Sequence, residues 1–273
     1  MSNSLVAPVR WRLPSFLRWS IACHALALAW ALLVPGAAGW ALLAVVLNHL
    51  AITAAGLTPR STLLGANVTR LPATAAARGE VAITIDDGPD PRVTPEVLAL
   101  LDAAGQRATF FCIAERVQAH PELARSIIAR GHALENHTAR HRHDFSLLGP
   151  GAYAAEIGRA QAIVAQVTGQ RPHCFRAPAG FRNVFLAPVL HRMGLTLVSW
   201  TRRGFDTREG DAAKVLARLS RGLAAGDILL LHDGHAGRTA AGRPVVLEVL
   251  PPLLARIRAA GLRSVTLRQG LAP

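Results

Sequence analysis

The sequence predicts an α/β domain built on a parallel sheet and preceded by an apolar helical hairpin. After residue 79, short β-rich runs alternate with amphipathic helical stretches, which is typical of strand–helix–strand units in an open or barrel-closed sheet. Before that point, Trp19–Leu57 contains no Asp, Glu, Lys or Arg. We therefore divide the chain into a membrane anchor (residues 1–57), a linker (58–78) and a main domain (79–273).

The apolar region consists of two runs joined by a tight turn. Trp19–Val34 and Ala37–Leu57 are separated by Pro35-Gly36, and a membrane span needs about 20 apolar residues, with a range of roughly 17–25. The second run is long enough and the first is slightly short. We expect two spans, with one span plus an interfacial helix and a soluble hairpin as alternatives. A cleaved signal sequence fits less well, because its apolar core is only about 7–15 residues long.

The arginines around the hairpin indicate its orientation. The turn between the two runs is uncharged, whereas six arginines flank the hairpin on its outer sides. They are Arg10, Arg12, Arg18, Arg60, Arg70 and Arg78. The positive-inside rule places these flanks in the cytoplasm, so we expect an inner-membrane protein with a cytoplasmic main domain. A single span would instead put that domain on the extracytoplasmic face.

The formal net charge of +13 narrows the choice of partners. Almost all of the basic residues are Arg, which coding bias alone can produce. Attraction to anionic lipid or to a phosphate-bearing substrate is the functional alternative. No basic run is interleaved with aromatic residues as base stacking requires, so we expect no nucleic-acid partner.

Seven strands are predicted, with helices between most of them. The strand candidates are Val81–Ile85, Thr109–Ile113, Ala133–Asn136, Cys174–Ala177, Leu195–Trp200, Asp227–Leu231 and Ser264–Leu267. The helix candidates are Thr94–Ala104, Pro121–Arg130, Gly151–Thr168, Ala212–Ala224 and Pro244–Ala260.

Polar side chains collect where these predicted strands end. In a barrel of parallel strands the carboxyl ends of the strands form one rim, and catalytic groups gather there. Five of the predicted strands end in or lead into such residues. The segments are Asp86-Asp87, Asn136–His141, Phe175–Gly180, Trp200–Asp206 and Leu229–Asp233.

Three of these residues predict a metal site. His137 and His141 are spaced i, i+4, so a helix would put both imidazoles on one face, and Asp87 adds a carboxylate. Such a set leaves positions open for water and substrate. Asp86, beside it, can accept a proton from that water. The alternatives are an exposed polar segment for the histidines and an ordinary strand-end turn for the two aspartates.

Two further groups complete the predicted site. Arg176 can pair with Asp86 and keep that carboxylate ionised. His232 follows an apolar run and is the candidate general acid, with a structural histidine as the alternative. Either Asp206 or Asp233 can hold its ring, and Asp206 can raise its pKa.

Four short motifs occur in a fixed order: TIDDGP, HTARH, FRAPAG and LLLHD. They resemble the motifs T-F-D-D-G-P, H-[ST]-x-x-H, R-P-P-Y-G and L-x-L-H of the polysaccharide deacetylases with a NodB homology domain, carbohydrate esterase family 4. The resemblance covers roughly residues 79–268. It implies a distorted (β/α)7-type barrel behind the transmembrane hairpin.

The resemblance also implies roles for the residues of the site. Asp86 would be the catalytic base, oriented by Arg176, and His232 would protonate the departing amine. One divalent metal ion, usually zinc, would be the cofactor. Its ligands would be Asp87, His137 and His141.

Two departures from the family pattern concern the substrate side. An aromatic residue usually stands where this chain has Ala179, so the groove is more open and Phe181 is expected to compensate. The Ala179 N–H would bind the oxyanion, and Leu230 would line the acetyl pocket. The segment RRGFDT only loosely matches the family motif D-x-x-D-W. This match would make Asp206 the acidic residue of the motif, and Trp200 would form part of the wall of the site.

The sequence therefore predicts a metal-dependent hydrolase that removes an N-acetyl group from an amino sugar in a polysaccharide or glycolipid. A lipid-linked amino sugar suits a cytoplasmic domain, whereas an N-acetylated glycan such as peptidoglycan suits an extracytoplasmic one. The alternatives are an O-acetyl esterase on the same scaffold and a non-catalytic, membrane-anchored glycan-binding protein.

Overall fold

The computed structural model describes residues 11–272 as a curled parallel sheet surrounded by helices, with a helical hairpin before it. Residues 1–10, which include Arg10, and residue 273 lie outside the described residues. The strands are β1 (Glu80–Asp86), β2 (Ala108–Cys112), β3 (Ala133–Asn136), β4 (Cys174–Phe175), β5 (Thr196–Leu197), β6 (Arg202–Arg203), β7 (Ile228–His232) and β8 (Arg263–Ser264). The α-helices are α1 (Ser15–Leu33), α2 (Ala38–Gly56), α3 (Ala73–Ala77), α4 (Thr94–Ala103), α5 (Ala114–Ala119), α6 (Pro121–Ala129), α7 (Pro150–Thr168), α8 (Leu186–Arg192), α9 (Ala212–Ser220), α10 (Val245–Ala259) and α11 (Leu267–Gly270).

The sheet has the parallel topology that the sequence predicts. Its strand order is β5-β4-β3-β2-β1-β7-β6, and β8 pairs with the start of β1. Each of the seven predicted strands overlaps an observed one, although β4, β5 and β8 are only two residues long. The predicted fold class, a distorted (β/α)7-type barrel behind an apolar hairpin, is confirmed.

Alternation along β1 decides which side chains enter the barrel. All seven of its residues are buried. Ile83 and Ile85 pack in the cluster that includes apolar residues of the outer helices, whereas Ala82 belongs to the interior cluster. Successive side chains of a strand point to opposite faces, so Thr84 and Asp86 share the interior face with Ala82.

The hairpin helices expose an apolar surface to their surroundings. Helices α1 and α2 are each 19 residues long, with mean hydropathies of 1.5 and 1.7 over their most apolar windows. Large side chains such as Trp19, Leu33 and Trp40 are more than half exposed. Both helices are long and apolar enough to cross a membrane, and their insertion stays a prediction.

The base of the hairpin is fixed to the barrel by close backbone packing. The Gly56 carbonyl oxygen accepts a hydrogen bond from the N–H of Arg182 at 3.1 Å. A Cβ atom at position 56 would lie 2.3 Å from the Arg182 carbonyl oxygen, so glycine alone allows this approach. Leu64, which follows α2, is buried in a small cluster with Leu17 of α1 and Ala55 of α2.

Residues 68–71 link the edge strand β5 to the segment that leads into β7. The N–H of Val68 donates to the Leu197 carbonyl at 2.9 Å on the β5 edge, and the N–H of Leu71 donates to the Gly226 carbonyl at 2.8 Å, just before β7. The Leu71 side chain is buried in the interior cluster. The segment predicted as a linker therefore also takes part in the barrel, and the division of the chain at residues 57 and 78 stays a prediction.

We expect Gly56→Ala to loosen the hairpin from the barrel. The added Cβ overlaps a backbone oxygen, and overpacking of this kind costs about 1–3 kcal/mol. The melting temperature of the full chain in detergent micelles should fall by several degrees. Gly39→Ala is the matched control in the same helix, because a Cβ there meets nothing within 4 Å. Equal melting temperatures for the two variants would contradict a tight contact at Gly56.

Candidate active site

The parallel register brings the predicted residues to one rim of the barrel. Across the sheet, Asp86 at the end of β1 is paired with Phe111 on β2 and with His232 on β7. Asn136 at the end of β3 is likewise paired with Phe175 on β4. The loops that follow these strand ends therefore converge on the same space.

Asp87, His137 and His141 form a compact group of potential metal ligands. Oδ1 of Asp87 lies 3.2 Å from Nε2 of His137 and 3.3 Å from Nε2 of His141. One ligand atom from each residue lies within 4.8 Å of the others. Bonds of about 2.0–2.1 Å to a tetrahedral zinc ion put neighbouring ligand atoms about 3.3 Å apart, which matches both separations from Asp87.

The hydrogen bonding of this group also fits a cation. Asp87 is 5% exposed, and its Oδ1 atom has no hydrogen-bond partner among the described residues. Nδ1 of His137 lies 2.9 Å from the Arg176 carbonyl oxygen, which accepts its proton and leaves Nε2 to act as a ligand. A buried carboxylate oxygen without a donor, facing two imidazole nitrogens, is the arrangement that a divalent metal ion satisfies.

The charges in the group favour the protonation states that metal binding needs. Burial disfavours ionisation of Asp87, yet the neighbouring His137 and His235 hold the pKa of this carboxyl well below its usual range. Burial and the positive charge of His137 lower the pKa of His141 to about 4, so this imidazole is neutral at pH 7. Although burial opposes it, Asp86 and Asp87 raise the pKa of His137, so a cation bound there would displace a proton.

A tight loop holds the two histidines, and the helical geometry expected from their spacing was wrong. Thr138 and His141 have φ values of 69° and 53°, which interrupt any helix. The N–H of Thr138 donates to Oδ1 of Asn136 at 2.8 Å, and the N–H of His141 donates to Oγ1 of Thr138 at 2.8 Å. These local side-chain bonds replace the helical hydrogen bonds and bring the imidazoles onto one side.

Backbone strain is concentrated at the same rim. Six non-glycine residues in the described part of the chain have a positive φ, and all lie in loops at the carboxyl ends of strands. They are Asp87, Thr138, His141, Ala179, Phe205 and His235. Conformations of this kind cost roughly 1–3 kcal/mol each and persist where the surrounding structure imposes them, typically at functional sites.

Asp86 is aimed by the buried side chain of Arg176. Nη1 of Arg176 donates to Oδ1 of Asp86 at 2.6 Å and to Oγ1 of Thr84 at 2.8 Å. The arginine is 1% exposed, and its Nη2 donates to the Ser199 carbonyl at 2.8 Å. Oδ2 of Asp86 lies 3.9 Å from Nε2 of His137, which puts this second oxygen beside the ligand group.

His232 faces the site with its ring held by Asp206. The two carboxylate oxygens of Asp206 lie 2.9 Å from Nδ1 of His232 and 2.7 Å from its backbone nitrogen. Although burial opposes a charge, Asp206 raises the pKa of His232 to about 9, so the ring is protonated at neutral pH. Asp233 turns away and accepts a hydrogen bond from Oγ1 of Thr94 at 2.5 Å. Of the two candidate acids, Asp206 therefore contacts the ring.

Comparison with known proteins identifies the family. A model of the polysaccharide deacetylase family matches residues 74–198. Over 199 residues the chain is 30% identical to a Bacillus cereus protein named peptidoglycan-N-acetylglucosamine deacetylase, and the alignment covers 69% of this chain and 86% of that relative. The chain belongs to the polysaccharide deacetylase family.

Two further relatives agree with this assignment. A chitooligosaccharide deacetylase of a Bradyrhizobium species is 33% identical over 156 residues, which cover 57% of this chain and 71% of the relative. Among solved structures, a family 4 carbohydrate esterase from Streptomyces lividans in complex with acetate superposes with a TM-score of 0.63 at 30% identity. That superposition covers 71% of this chain and 97% of the esterase.

In this polysaccharide deacetylase, the site opens into a cavity of about 300 Å³. Ala179, Trp200 and Leu230 line it, together with the ligand group, Asp86 and His232. The N–H of Ala179 donates to no other described residue, so it is free to bind a ligand in the cavity. Phe181 is not among the lining residues, and 37% of its surface is exposed. The structure therefore brings together every predicted substrate-binding residue except Phe181.

A larger cavity of about 840 Å³ lies elsewhere, between the start of α1 and β5. Its lining includes Trp11, Phe16 and Leu197 and is mainly apolar. In the part of the chain that the structure describes, the group of metal-ligating side chains lines the smaller cavity and not this one. The chemistry therefore belongs to the smaller cavity.

Arg203 and His235 are among the lining residues of the smaller cavity that were not predicted from the sequence. The guanidinium of Arg203 lies 5.3 Å from the Trp200 ring and 4.9 Å from the Phe205 ring. Nδ1 of His235 lies 3.3 Å from Oδ2 of Asp87, on the carboxylate oxygen that does not face the ligand histidines. Arg203 lies within the segment whose match to the family motif is loose, which was the available signal, and His235 follows two residues after Asp233.

We expect the full chain to bind one equivalent of zinc through this ligand group. His137→Ala should weaken the affinity by more than about 100-fold, since even the loss of a group that only supports a ligand costs 10–100-fold. Calorimetric titration of metal-stripped protein measures this change. His173→Ala is the matched control, because this side chain is exposed and forms no hydrogen bond or ion pair with a described residue. Zinc binding of unchanged affinity in His137→Ala would exclude the predicted site.

Proposed function

We propose that this chain is a membrane-anchored, metal-dependent hydrolase that removes an N-acetyl group from an amino sugar in a polysaccharide or glycolipid. One observation carries the proposal: a carboxylate, Asp86, and a protonated imidazole, His232, line the same cavity as the metal-ligand group. Amide hydrolysis needs both, because the attacking water loses a proton and the departing nitrogen gains one. Relatives named as peptidoglycan and chitooligosaccharide deacetylases support the same reaction.

We expect zinc in the ligand group, because two imidazoles and one carboxylate with open positions are among the donor sets of catalytic zinc. When bound, it would polarise the acetyl carbonyl and lower the pKa of the attacking water. Asp86 would take the proton of that water. Its ion pair with Arg176 fixes the position of the carboxylate, whose second oxygen lies beside the ligands.

The remaining residues of the cavity would handle the developing charge and the leaving group. The free N–H of Ala179 would donate to the oxyanion. His232 would pass its Nε2 proton to the departing nitrogen, while Asp206 stabilises the imidazolium and fixes its orientation. Leu230 and Trp200 would provide the apolar wall against which the acetyl group packs.

Helices α1 and α2 would anchor the enzyme in the inner membrane. We retain residues 1–57 as the anchor and 79–273 as the catalytic domain, with residues 58–78 between them. We assign the catalytic domain to the cytoplasm, because arginines flank the hairpin on its outer sides and the turn at Pro35-Gly36 is uncharged. Domain-specific labelling of intact and permeabilised cells would test this orientation, and labelling of intact cells would contradict it.

The reaction is tested by acetate release from N-acetylglucosamine oligomers by the full chain in detergent, stripped of metal and refilled with zinc. We expect zinc-dependent release in the native chain. Asp86→Asn should bind zinc normally and lose at least about 10²–10⁴-fold in rate, because the base is removed and the ligands are kept. Asp144→Asn is the control, since it breaks only an exposed ion pair with Arg142.

Three outcomes would contradict parts of the proposal. A near-normal rate in Asp86→Asn would exclude Asp86 as the base. Glycan binding without acetate release by the zinc-loaded native chain would favour the non-catalytic alternative. Acetate release from O-acetylated but not from N-acetylated sugars would favour the esterase alternative.

The pH dependence of kcat/KM should report the proton on His232. Its pKa of about 9 means that the imidazolium is present below pH 9 and is lost as the pH rises through that value. Activity should therefore fall on the alkaline side. Asp206→Asn removes the main group that raises this pKa, so the alkaline limb should move to lower pH. An alkaline limb that stays in place in Asp206→Asn would show that His232 is not the titrating acid.

A further inference from the structure

Two cationic side chains at the cavity have no anionic partner. Arg203 and Arg208 both line it, and neither guanidinium forms an ion pair or hydrogen bond with another described residue. Nε of Arg203 is buried without any partner. The guanidinium lies within cation–π distance of the Trp200 and Phe205 rings. Arg203 is half-buried and Arg208 is exposed, so the buried Nε atom of Arg203 is the group that lacks an acceptor, and it indicates a ligand that supplies one.

The overall charge of the site points the same way. In number, the three carboxylates Asp86, Asp87 and Asp206 equal the cations Arg176, His232 and Arg203, although Arg203 forms an ion pair with none of them. A divalent cation in the ligand group, together with the exposed Arg208, would then make the site positive overall. Burial lowers the pKa of Arg203, and the like charge of Arg208 acts in the same direction. An anionic group on the substrate would relieve this excess of positive charge.

Arg203 also reverses a charge of the family pattern. If Asp206 is the second acid of D-x-x-D-W, the spacing puts Arg203 at the position of the first acid and Thr207 at the tryptophan. The scaffold and the reacting groups are kept, so the change concerns what the site recognises beside the acetamido group.

The wall of the cavity lies close to the apolar hairpin. Gly180 is packed against Pro59, because a Cβ at position 180 would meet a Pro59 side-chain atom at 2.5 Å. Two residues later, Arg182 bonds to Gly56 at the end of α2. Since successive Cα atoms are 3.8 Å apart, the hairpin ends within roughly 13 Å of the cavity wall.

We propose that the amino-sugar substrate carries a phosphate group bound by Arg203, and that a lipid in the membrane presents it. The inference rests on the proposed function and names its substrate class. The planar guanidinium offers two parallel N–H donors, which match two oxygens of one phosphate. The same phosphate group could also be supplied by a soluble nucleotide-linked amino sugar. The position of the site beside the hairpin favours the lipid-linked source.

The phosphate site is tested first by binding. Calorimetry on metal-free full chain in detergent compares N-acetylglucosamine 1-phosphate with N-acetylglucosamine, and removal of the metal prevents phosphate from binding to it. The phosphate sugar should bind more tightly, and Arg203→Gln should weaken its binding by roughly 10–100-fold. Arg203→Lys should restore part of the affinity. Arg258→Gln is the control that should bind like the native chain, because Arg258 is an exposed arginine on α10 with no ion-pair partner among the described residues.

The source of the phosphate is tested by turnover of zinc-loaded full chain. The substrates are polyprenyl-phosphate N-acetylglucosamine in phosphatidylcholine vesicles, uridine diphosphate N-acetylglucosamine in water and neutral octyl N-acetylglucosaminide. In the native chain we expect the highest kcat/KM for the polyprenyl-phosphate substrate. In Arg203→Gln, the kcat/KM for that substrate divided by the kcat/KM for the neutral glycoside should fall at least tenfold. An unchanged ratio would overturn the role of Arg203. A preference for the nucleotide sugar would overturn the lipid source.

Failure of this inference differs from failure of the proposed function. Acetate release from the neutral glycoside without any Arg203-dependent preference for phosphate would overturn the inference and leave the deacetylase function standing. Arg203-dependent binding of N-acetylglucosamine 1-phosphate without acetate release from any substrate would overturn the function and leave the phosphate site standing.

Discussion

The guanidinium of Arg176 connects the barrel interior to the candidate catalytic groups. It is 1% exposed and donates to Asp86, to Thr84 and to the carbonyls of Val198 and Ser199. Phe111 covers one face at 4.1 Å. The backbone carbonyl oxygen of Arg176 accepts the Nδ1 proton of His137. A buried charge is costly unless it is well paired, so the positions of Asp86, His137 and the barrel wall depend on one another here.

Strands β1, β2, β3 and β7 could be located from the sequence because their apolar, β-branched residues form uninterrupted runs between turn signals. Strand β6 could not, because Arg202–Arg203 has no strand composition and pairs only through its position beside β7. Helices α5 and α8 were missed because they are six and seven residues long, too short for a periodic pattern to emerge. Tertiary packing rather than local propensity forms these elements.

In the candidate site, too, some residues could be predicted from the sequence and others could not. Asp86, Asp87 and His232 could be named because strand ends in a parallel sheet share one edge, and the motif spacing supplied His137 and His141. The geometry of the histidine loop could not be anticipated, since it depends on positive φ values that no residue in HTARH signals. Arg203 and His235 belong to the cavity through loop paths that only the folded chain reveals.

The strip Val68–Leu71 links distant parts of the chain within the barrel. This strip is synthesised directly after the apolar helices, yet its partners Leu197 and Gly226 come far later in the chain. Such distant pairings form slowly, because a long loop must close first. The contacts of this strip therefore cannot all form until the chain up to Gly226 is available.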